Sequence, residues 1–409
     1  MPPAVGKAAL VIIGLMAIVL ILTAAISAAN LPLLGRDFLL FWTAGRAVQT
    51  GVSPYDMDFQ ARTQQANGWD TRRELMPFNP FSYPSWLAAA MSPLAWLPFA
   101  TAFQVWLSIS LVAFTAGILA VLRSASRVVS SRALVAALVG GLTFLPTLNG
   151  LSVGQLNLVL FAGVAGMVWA LHTERDRLAG VCMGALFTQP HIGIVIVTVV
   201  GLGLIAWRRF RPLVWMCLTI GVCAGIAFII SPTWPADMLG SFDRFTALTG
   251  WTFPLNGFQD NPTVYATLRV TSDSQPLVFA LVLASLACLA ALLVRRLRGP
   301  ARPSLLWLSA TACVAVFIFT PYARAYDMIL LLWPVLYIAF SDELVVARDA
   351  ACRVRRGVPA APAAGGARRT GRQQFHLGIC PCICAARRAS AERTIAASCP
   401  KWKLKPYPE

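Results

Sequence analysis

Charge is scarce in this sequence: Asp, Glu, Lys and Arg make up 12% of 409 residues, and only 17 of them are acids. Soluble domains carry roughly 25% charged residues, so the composition excludes an ordinary water-soluble fold. Phosphate loops of the Walker type, a strand-bound GxGxxG, HExxH and a serine-nucleophile elbow are also missing, which removes the ATP-driven pumps and the commonest soluble enzymes. Short alternating strands are lacking, and with them a β-barrel. The chain is instead 57% hydrophobic. Its apolar residues form long blocks: Ala8 to Ala29, Phe103 to Leu122, Leu213 to Ile230, Pro276 to Val294 and Ser304 to Thr320. Each approaches the roughly 20 residues that cross hydrocarbon as a helix, and backbone amides in lipid must bond within their own segment. The fold class is all-α, a polytopic transmembrane bundle.

The formal net charge of +17 does not point to nucleic acid, because of where the arginines fall. They cluster at Arg123, Arg127 and Arg132, at Arg175 and Arg177, at Arg208, Arg209 and Arg211, and at Arg295, Arg296, Arg298 and Arg302. All four clusters lie in short loops between apolar blocks, and with Lys7 they mark the cytoplasmic side. The first block resembles a signal peptide, but its apolar run of about 22 residues exceeds a usual signal core and reads as an uncleaved helix with a cytoplasmic N-terminus.

Two large outer loops follow from this orientation, residues 30–80 and 231–275. Pro93 and Pro98 interrupt the block from Tyr83 to Leu122, so Pro84 to Leu97 reads as an interfacial or re-entrant helix before a true span, with Trp86, Trp96 and Trp106 at interfacial positions. Leu134 to Leu148 goes out and Leu156 to Leu171 returns. The stretch from Arg177 to Arg208 must start and end on one side, so it reads as two short helices with Gln189-Pro190-His191 at their outer tip. Pro321 to Asp327 is a short outer turn before a last span, Met328 to Phe340. The count is about ten membrane segments. The transmembrane domain is thus residues 1–340.

Residues 341–409 change to Ala, Arg, Pro and Cys. Thirteen basic less five acidic residues give this tail +8 of the whole charge, and it holds five of the ten cysteines. Two readings stand: a disordered cytoplasmic tail, or a coding sequence that leaves its natural frame near Phe340. His376, Cys380, Cys382 and Cys384 lack a partner cluster at zinc spacing. Cys182, Cys217, Cys223, Cys288 and Cys313 read as small core residues. Asp56-Met57-Asp58 has the form of a metal-holding DxD, but in an outer loop it reads as solvated.

More informative is the stretch from Gly35 to Ala47, followed by Gly51 to Asp56. Asp37 sits just beyond a helix end, ahead of an amphipathic segment expected to turn Phe38, Phe41 and Trp42 toward lipid. An acid there is either functional or a solvated helix cap. With DFxxFWxAGRAV and GxSPYD, the chain carries Phe81-Ser82-Tyr83-Pro84, Pro93 to Phe99, Gly154-Gln155-Leu156-Asn157, Thr320-Pro321-Tyr322 and Tyr326-Asp327. In order and spacing these resemble glycosyltransferase family 87, the polyprenol-phosphate-mannose-dependent α-1,2-mannosyltransferases with the GT-C membrane fold, from about Asp37 to Pro334.

The resemblance implies a bacterial inner-membrane glycosyltransferase of the cell envelope. It would move a hexose, mannose by family, from a polyprenyl-phosphate donor to a periplasmic or lipid-linked glycan acceptor with inversion. Its partners are donor, acceptor and membrane lipid; neither metal nor nucleotide cofactor is implied. Asp37 matches the catalytic base. Arg324, His191 and Gln189 are candidates for the donor phosphate, and Gln155, Asn157, Tyr83 and Asp327 for sugar or acceptor. The family usually places a lysine before the proline of the broken helix, where this chain has Thr188-Gln189-Pro190. A transporter or lipid flippase and an inactive truncated paralogue stay open beside this reading.

Overall fold

The computed structural model describes residues 34–69, 78–125, 129–248, 262–271, 274–299, 303–320 and 323–341. They belong to one compact unit, residues 1–351; a second unit begins at Cys352. The expected helix Ala8–Ala29 and the tail from residue 342 lie outside the described residues. All regular structure among the described residues is helical, so the all-α class holds.

In chain order the helices are α1 (Arg36–Gln49), α2 (Met57–Ala66), α3 (Ser85–Met91), α4 (Phe99–Ala125), α5 (Ser131–Thr143), α6 (Leu145–Val153), α7 (Asn157–His172), α8 (Asp176–Ala185), α9 (Pro190–Ala206), α10 (Arg211–Ile230), α11 (Trp234–Leu248), α12 (Val264–Thr271), α13 (Gln275–Arg298), α14 (Leu305–Phe319) and α15 (Leu332–Phe340). Short 3-10 turns cover Leu94–Trp96, Leu186–Thr188 and Ala325–Leu331. Local chemistry sets many of the starts. Ser130 and Ser304 accept from the amides of Ala133 and Trp307, closing the first turns of α5 and α14. α9, α10 and α13 each open with a proline, whose missing N–H costs nothing in a first turn.

Among the described residues three helices are long and apolar enough to cross a membrane: α4, α10, and Pro276–Arg298 within α13. α5 and α6, bent by 65° at Phe144, make a fourth if they count as one span. Other expected segments are shorter apolar helices, including α7, α9 and α14. Pro84 to Leu97 becomes α3 and a 3-10 turn, with Leu87 and Ala88 buried and Trp96 74% exposed, the partition of a helix lying along a surface.

Contacts along the helices fix which ends meet. Trp106 of α4 donates to the carbonyl of Gly154 just before α7, and further along Phe114 meets Phe161 at 5.5 Å. α4 and α7 therefore run in parallel, ending together near Arg123 and His172. Arg209, after α9, donates to the Leu171 carbonyl (2.9 Å) and to Asp176 at the start of α8 (2.8 Å). The α8–α9 pair thus leaves and returns at one end of the bundle, as the sequence requires of two short helices joined at a tip. Arg296 lies over Trp307 at 5.8 Å, and Leu308 packs where a side chain on Gly203 would stand, which brings the α13–α14 junction to the same end. The helix ends that carry Arg123, Arg209 and Arg296 gather there. From Phe103 to Arg123, twenty helical residues separate the two ends by about 30 Å.

Two expectations are corrected. Phe38, Phe41 and Trp42 do not face lipid; they are 0%, 0% and 6% exposed. Phe38 lies among Phe99, Phe103 and Trp106, Phe41 meets Tyr83, and Trp42 donates to the Leu97 carbonyl at 3.1 Å. Helix α1 seals the end of the bundle, with protein on its aromatic face. Trp106, expected at the interface, is likewise buried at 4%, because its indole N–H is committed to Gly154.

Removing a fully buried ring leaves a cavity as well as lost apolar transfer. Phe38→Ala is expected to destabilise the protein by about 3–5 kcal/mol, whereas Trp96→Ala should stay within roughly 0.5 kcal/mol. Thermal unfolding in detergent checks this pair; equal shifts would place Phe38 outside the core.

Candidate active site

Two backbone turns bring the site together. Gly35, at φ 71°, precedes α1 and donates its N–H to the Ser152 carbonyl at 2.8 Å. Gly154, at φ 73°, ends α6 in the left-handed conformation. A Cβ on Gly154 would stand 2.6 Å from Cβ of Phe38, so only glycine allows this approach at this φ. The first turn of α1, carrying Asp37, is thereby pressed against Gln155 in the α6–α7 turn.

Gln155 is 2% exposed. Its Nε2 donates to Asp37 Oδ2 and to the Tyr326 hydroxyl, both at 2.9 Å, and its Oε1 accepts the Leu156 amide at 2.9 Å. The Tyr326 hydroxyl hydrogen-bonds the Asp37 carboxylate in turn. Asn157 is 1% exposed and donates from Nδ2 to the Tyr326 carbonyl at 2.8 Å. Asp327 is 2% exposed, and its Oδ2 accepts the Arg324 amide at 2.8 Å. Elements over 280 residues apart in sequence thus converge on one carboxylate.

Asp37 is half-buried while its partners are sealed, so it is the acid of this cluster that a ligand can reach. Burial pushes its pKa above the ordinary carboxylate value. The positive charges of Arg324 and Arg36 oppose that rise, as do the hydrogen bonds from Gln155 and Tyr326. The outcome is a carboxylate more basic than one in water, held in one orientation beside two guanidinium groups. Such a group can accept a proton from a hydroxyl.

Five residues expected from the sequence therefore come together here: Asp37, Gln155, Asn157, Arg324 and Asp327. Tyr83 stands beside them along α1, edge-on to Phe41 at 5.2 Å, and its carbonyl accepts the Tyr55 hydroxyl at 2.7 Å. Gln189 and His191 occupy the break between α8 and α9. Leu186 of that break packs on α7 at Gly163, six residues beyond Asn157, about 9 Å deeper along the helix. Gln189 is 2% exposed. Tyr326 and Arg36 were not assigned roles from sequence, although both adjoin assigned acids. Asp56 caps α2 by accepting the Phe59 amide at 2.8 Å, and both acids of the DxD are exposed. Among the described residues no group of His, Cys, Asp or Glu has a metal-holding arrangement; the tail cysteines lie outside them.

Residues 81–321, more than half of the chain, match the family model described as Glycosyltransferase family 87. The match takes in Gln155, Asn157, Gln189 and His191, begins after Asp37 and ends before Arg324. No curated protein and no solved structure matches the chain.

An infrared titration of carboxyl groups, differenced against Asp37→Asn, is expected to show Asp37 titrating above the ordinary value of about 3.9. Tyr326→Phe removes a hydrogen bond that favours the charged form, so its midpoint should move higher still. A midpoint unchanged by Tyr326→Phe would detach the tyrosine from Asp37.

Proposed function

The chain belongs to glycosyltransferase family 87, and from that premise we propose that it transfers mannose from a polyprenyl-phosphate carrier to a glycolipid or glycan acceptor at the periplasmic face of a bacterial inner membrane. The observation that carries this reading is the reachable, doubly hydrogen-bonded Asp37 beside Arg324, at the bundle end opposite the arginine-rich loops. Retention of arginine on the cytoplasmic side turns that end to the periplasm, where lipid-linked sugars are presented.

Asp37 takes the proton of the acceptor hydroxyl as its oxygen attacks the anomeric carbon. The carbon–oxygen bond to the lipid phosphate breaks on the opposite face, so configuration inverts. The electron pair leaves with the phosphate, and Arg324 stabilises the charge that grows there. Asn157 and Asp327, sealed beneath the site, donate to the Tyr326 carbonyl and accept the Arg324 amide, and so serve the sugar site by holding the segment that carries Arg324 and Tyr326. Gln155 holds the base in place, and Tyr83 borders the acceptor side of α1. Gln189 and His191, deeper along α7, suit the approach of the carrier lipid and its phosphate. No step calls on a metal or a nucleotide.

The test is transfer by purified protein in detergent, from synthetic polyprenyl-phosphate-mannose to membrane glycolipids. Asp37→Asn keeps the shape of the side chain and removes the base, so the rate should fall about 10²–10⁴-fold with expression and thermal stability retained. Undiminished transfer by that variant would remove Asp37 from the chemistry. A product that keeps the donor's anomeric configuration would contradict direct displacement.

A further inference from the structure

At the end of the bundle opposite Asp37, the turn between α7 and α8 lies against the turn between α9 and α10. A Cβ on Gly180 of α8 would stand 2.4 Å from the Pro212 carbonyl oxygen and from Cβ of Trp215, so the starts of α8 and α10 touch. Arg209 ties the two turns together, donating to Asp176 at 2.8 Å and to the Leu171 carbonyl at 2.9 Å, and its charge is engaged inside the protein. Arg175 and Arg177 are used differently. Both are exposed, the Arg175 guanidinium 4.7 Å from the Trp169 ring centroid and that of Arg177 5.3 Å from Trp215. Neither guanidinium makes an ion pair or hydrogen bond among the described residues. Stacking on tryptophan fixes the plane of a guanidinium and leaves its N–H edge available. Arg211, exposed at the start of α10, adds a third cation beside Pro212. Over the two turns five arginines stand against two acids, Glu174 and Asp176, and Asp176 is already paired.

We infer that Arg175, Arg177 and Arg211 form a docking surface for the phosphodiester headgroup of an anionic phospholipid. Charge complementarity selects an anion, and the planar edge of a guanidinium matches two phosphate oxygens at once. Both helices begin at this surface, so the positive ends of their dipoles add to its field. The neighbouring apolar surface selects a lipid over a soluble phosphate. Leu178 and Val181, three apart on α8, are 40% and 43% exposed, and Val214 and Leu218, four apart on α10, are 56% and 52% exposed. Residues at those spacings share one helix face, and α10 is long and apolar enough to cross a membrane. Acyl chains can therefore lie along these faces while the phosphate stays at the arginines. Trp169 and Trp215, both half-buried, suit the same boundary, where an aromatic ring meets lipid on one side and water on the other. The surface is separate from the transfer site and depends on neither its donor nor its acceptor.

The experiment measures binding of a fluorescent phosphatidylglycerol to the purified protein in a neutral detergent, with unlabelled phosphatidylglycerol, phosphatidylcholine or inorganic phosphate as competitor. Phosphatidylglycerol should displace the probe well ahead of phosphatidylcholine, and inorganic phosphate at the same concentration should leave it bound. Arg175→Gln and Arg177→Gln should each weaken binding about fivefold, and together about 25-fold, the scale of one basic side chain at an anionic lipid surface. Arg62→Gln, which removes an exposed charge from α2, should leave the affinity unchanged. Thermal unfolding confirms that each variant is folded. Equal competition by the two lipids would overturn the assignment, and displacement by inorganic phosphate would replace the lipid with a soluble anion. Unchanged affinity in the folded double variant, or a loss in Arg62→Gln equal to that in Arg177→Gln, would also overturn it.

Discussion

The rest of the structure depends on the close approach of two backbone turns at one end of the bundle. The amide of Gly35 reaches the Ser152 carbonyl, and Gly154 meets Phe38 at a separation no other residue permits at that φ. Helix α1 is otherwise held by its aromatic face, Phe38, Phe41 and Trp42, against α4 and the segment from Tyr83 to Leu97. These contacts aim the opposite side of its first turn, with Asp37, at Gln155. The hydrogen-bond chain from Asp37 through Gln155 and Tyr326 to Asn157 then ties the start of α1 to the α6–α7 turn and to the 3-10 turn before α15. Packing positions the acid, and the polar network orients it.

Electrostatics explain why so many groups attend one carboxylate. Withdrawal from water raises the cost of its charge, which makes it a better proton acceptor but tends to leave it protonated. Arg324, Arg36, Gln155 and Tyr326 each favour the ionised form, keeping a base available in an environment where an unaided acid would be neutral. At the other end, arginines are handled differently: Arg175 and Arg177 lie over Trp169 and Trp215, and Arg209 pairs with Asp176. A cation near the Asp37 carboxylate and cations at the loop-rich end thus share a partner type, tryptophan.

Much of this was legible in the sequence because lipid imposes simple rules. Arginine placement required α8 and α9 to start and finish on one side, and the contacts of Arg209 show that they do. The interruptions at Pro93, Pro98 and Gln189-Pro190 were legible because proline removes an amide donor. The lipid-facing expectation for Phe38, Phe41 and Trp42 failed for a physical reason: lipid and protein interior are equally apolar, so hydropathy cannot tell which one an aromatic face meets. The same ambiguity hid Trp106. Asp37, Gln155, Asn157, Arg324 and Asp327 were singled out through the resemblance to the family's motifs, whereas their polarity beside apolar helices alone left Asp37 open between a functional acid and a helix cap. Tyr326 was given no role, because a tyrosine at a membrane edge is ordinary, and only its hydroxyl contacts single it out. Arg36 was hidden by being one of many arginines; its place over Trp69 is a property of the folded loop.

The central claim is that the end of the bundle opposite the arginine-rich loops is the reaction site, organised around Asp37. An electron-microscopy structure of the protein with a polyprenyl-phosphate sugar bound to the Asp37→Asn variant tests it most directly. The account predicts the phosphate within about 4 Å of Arg324, the cutoff of an ion pair, with the anomeric carbon facing residue 37 and the lipid chain leaving toward the α8–α9 break. Density for the phosphate among Arg175, Arg209 and Arg296, at the opposite end, would contradict it.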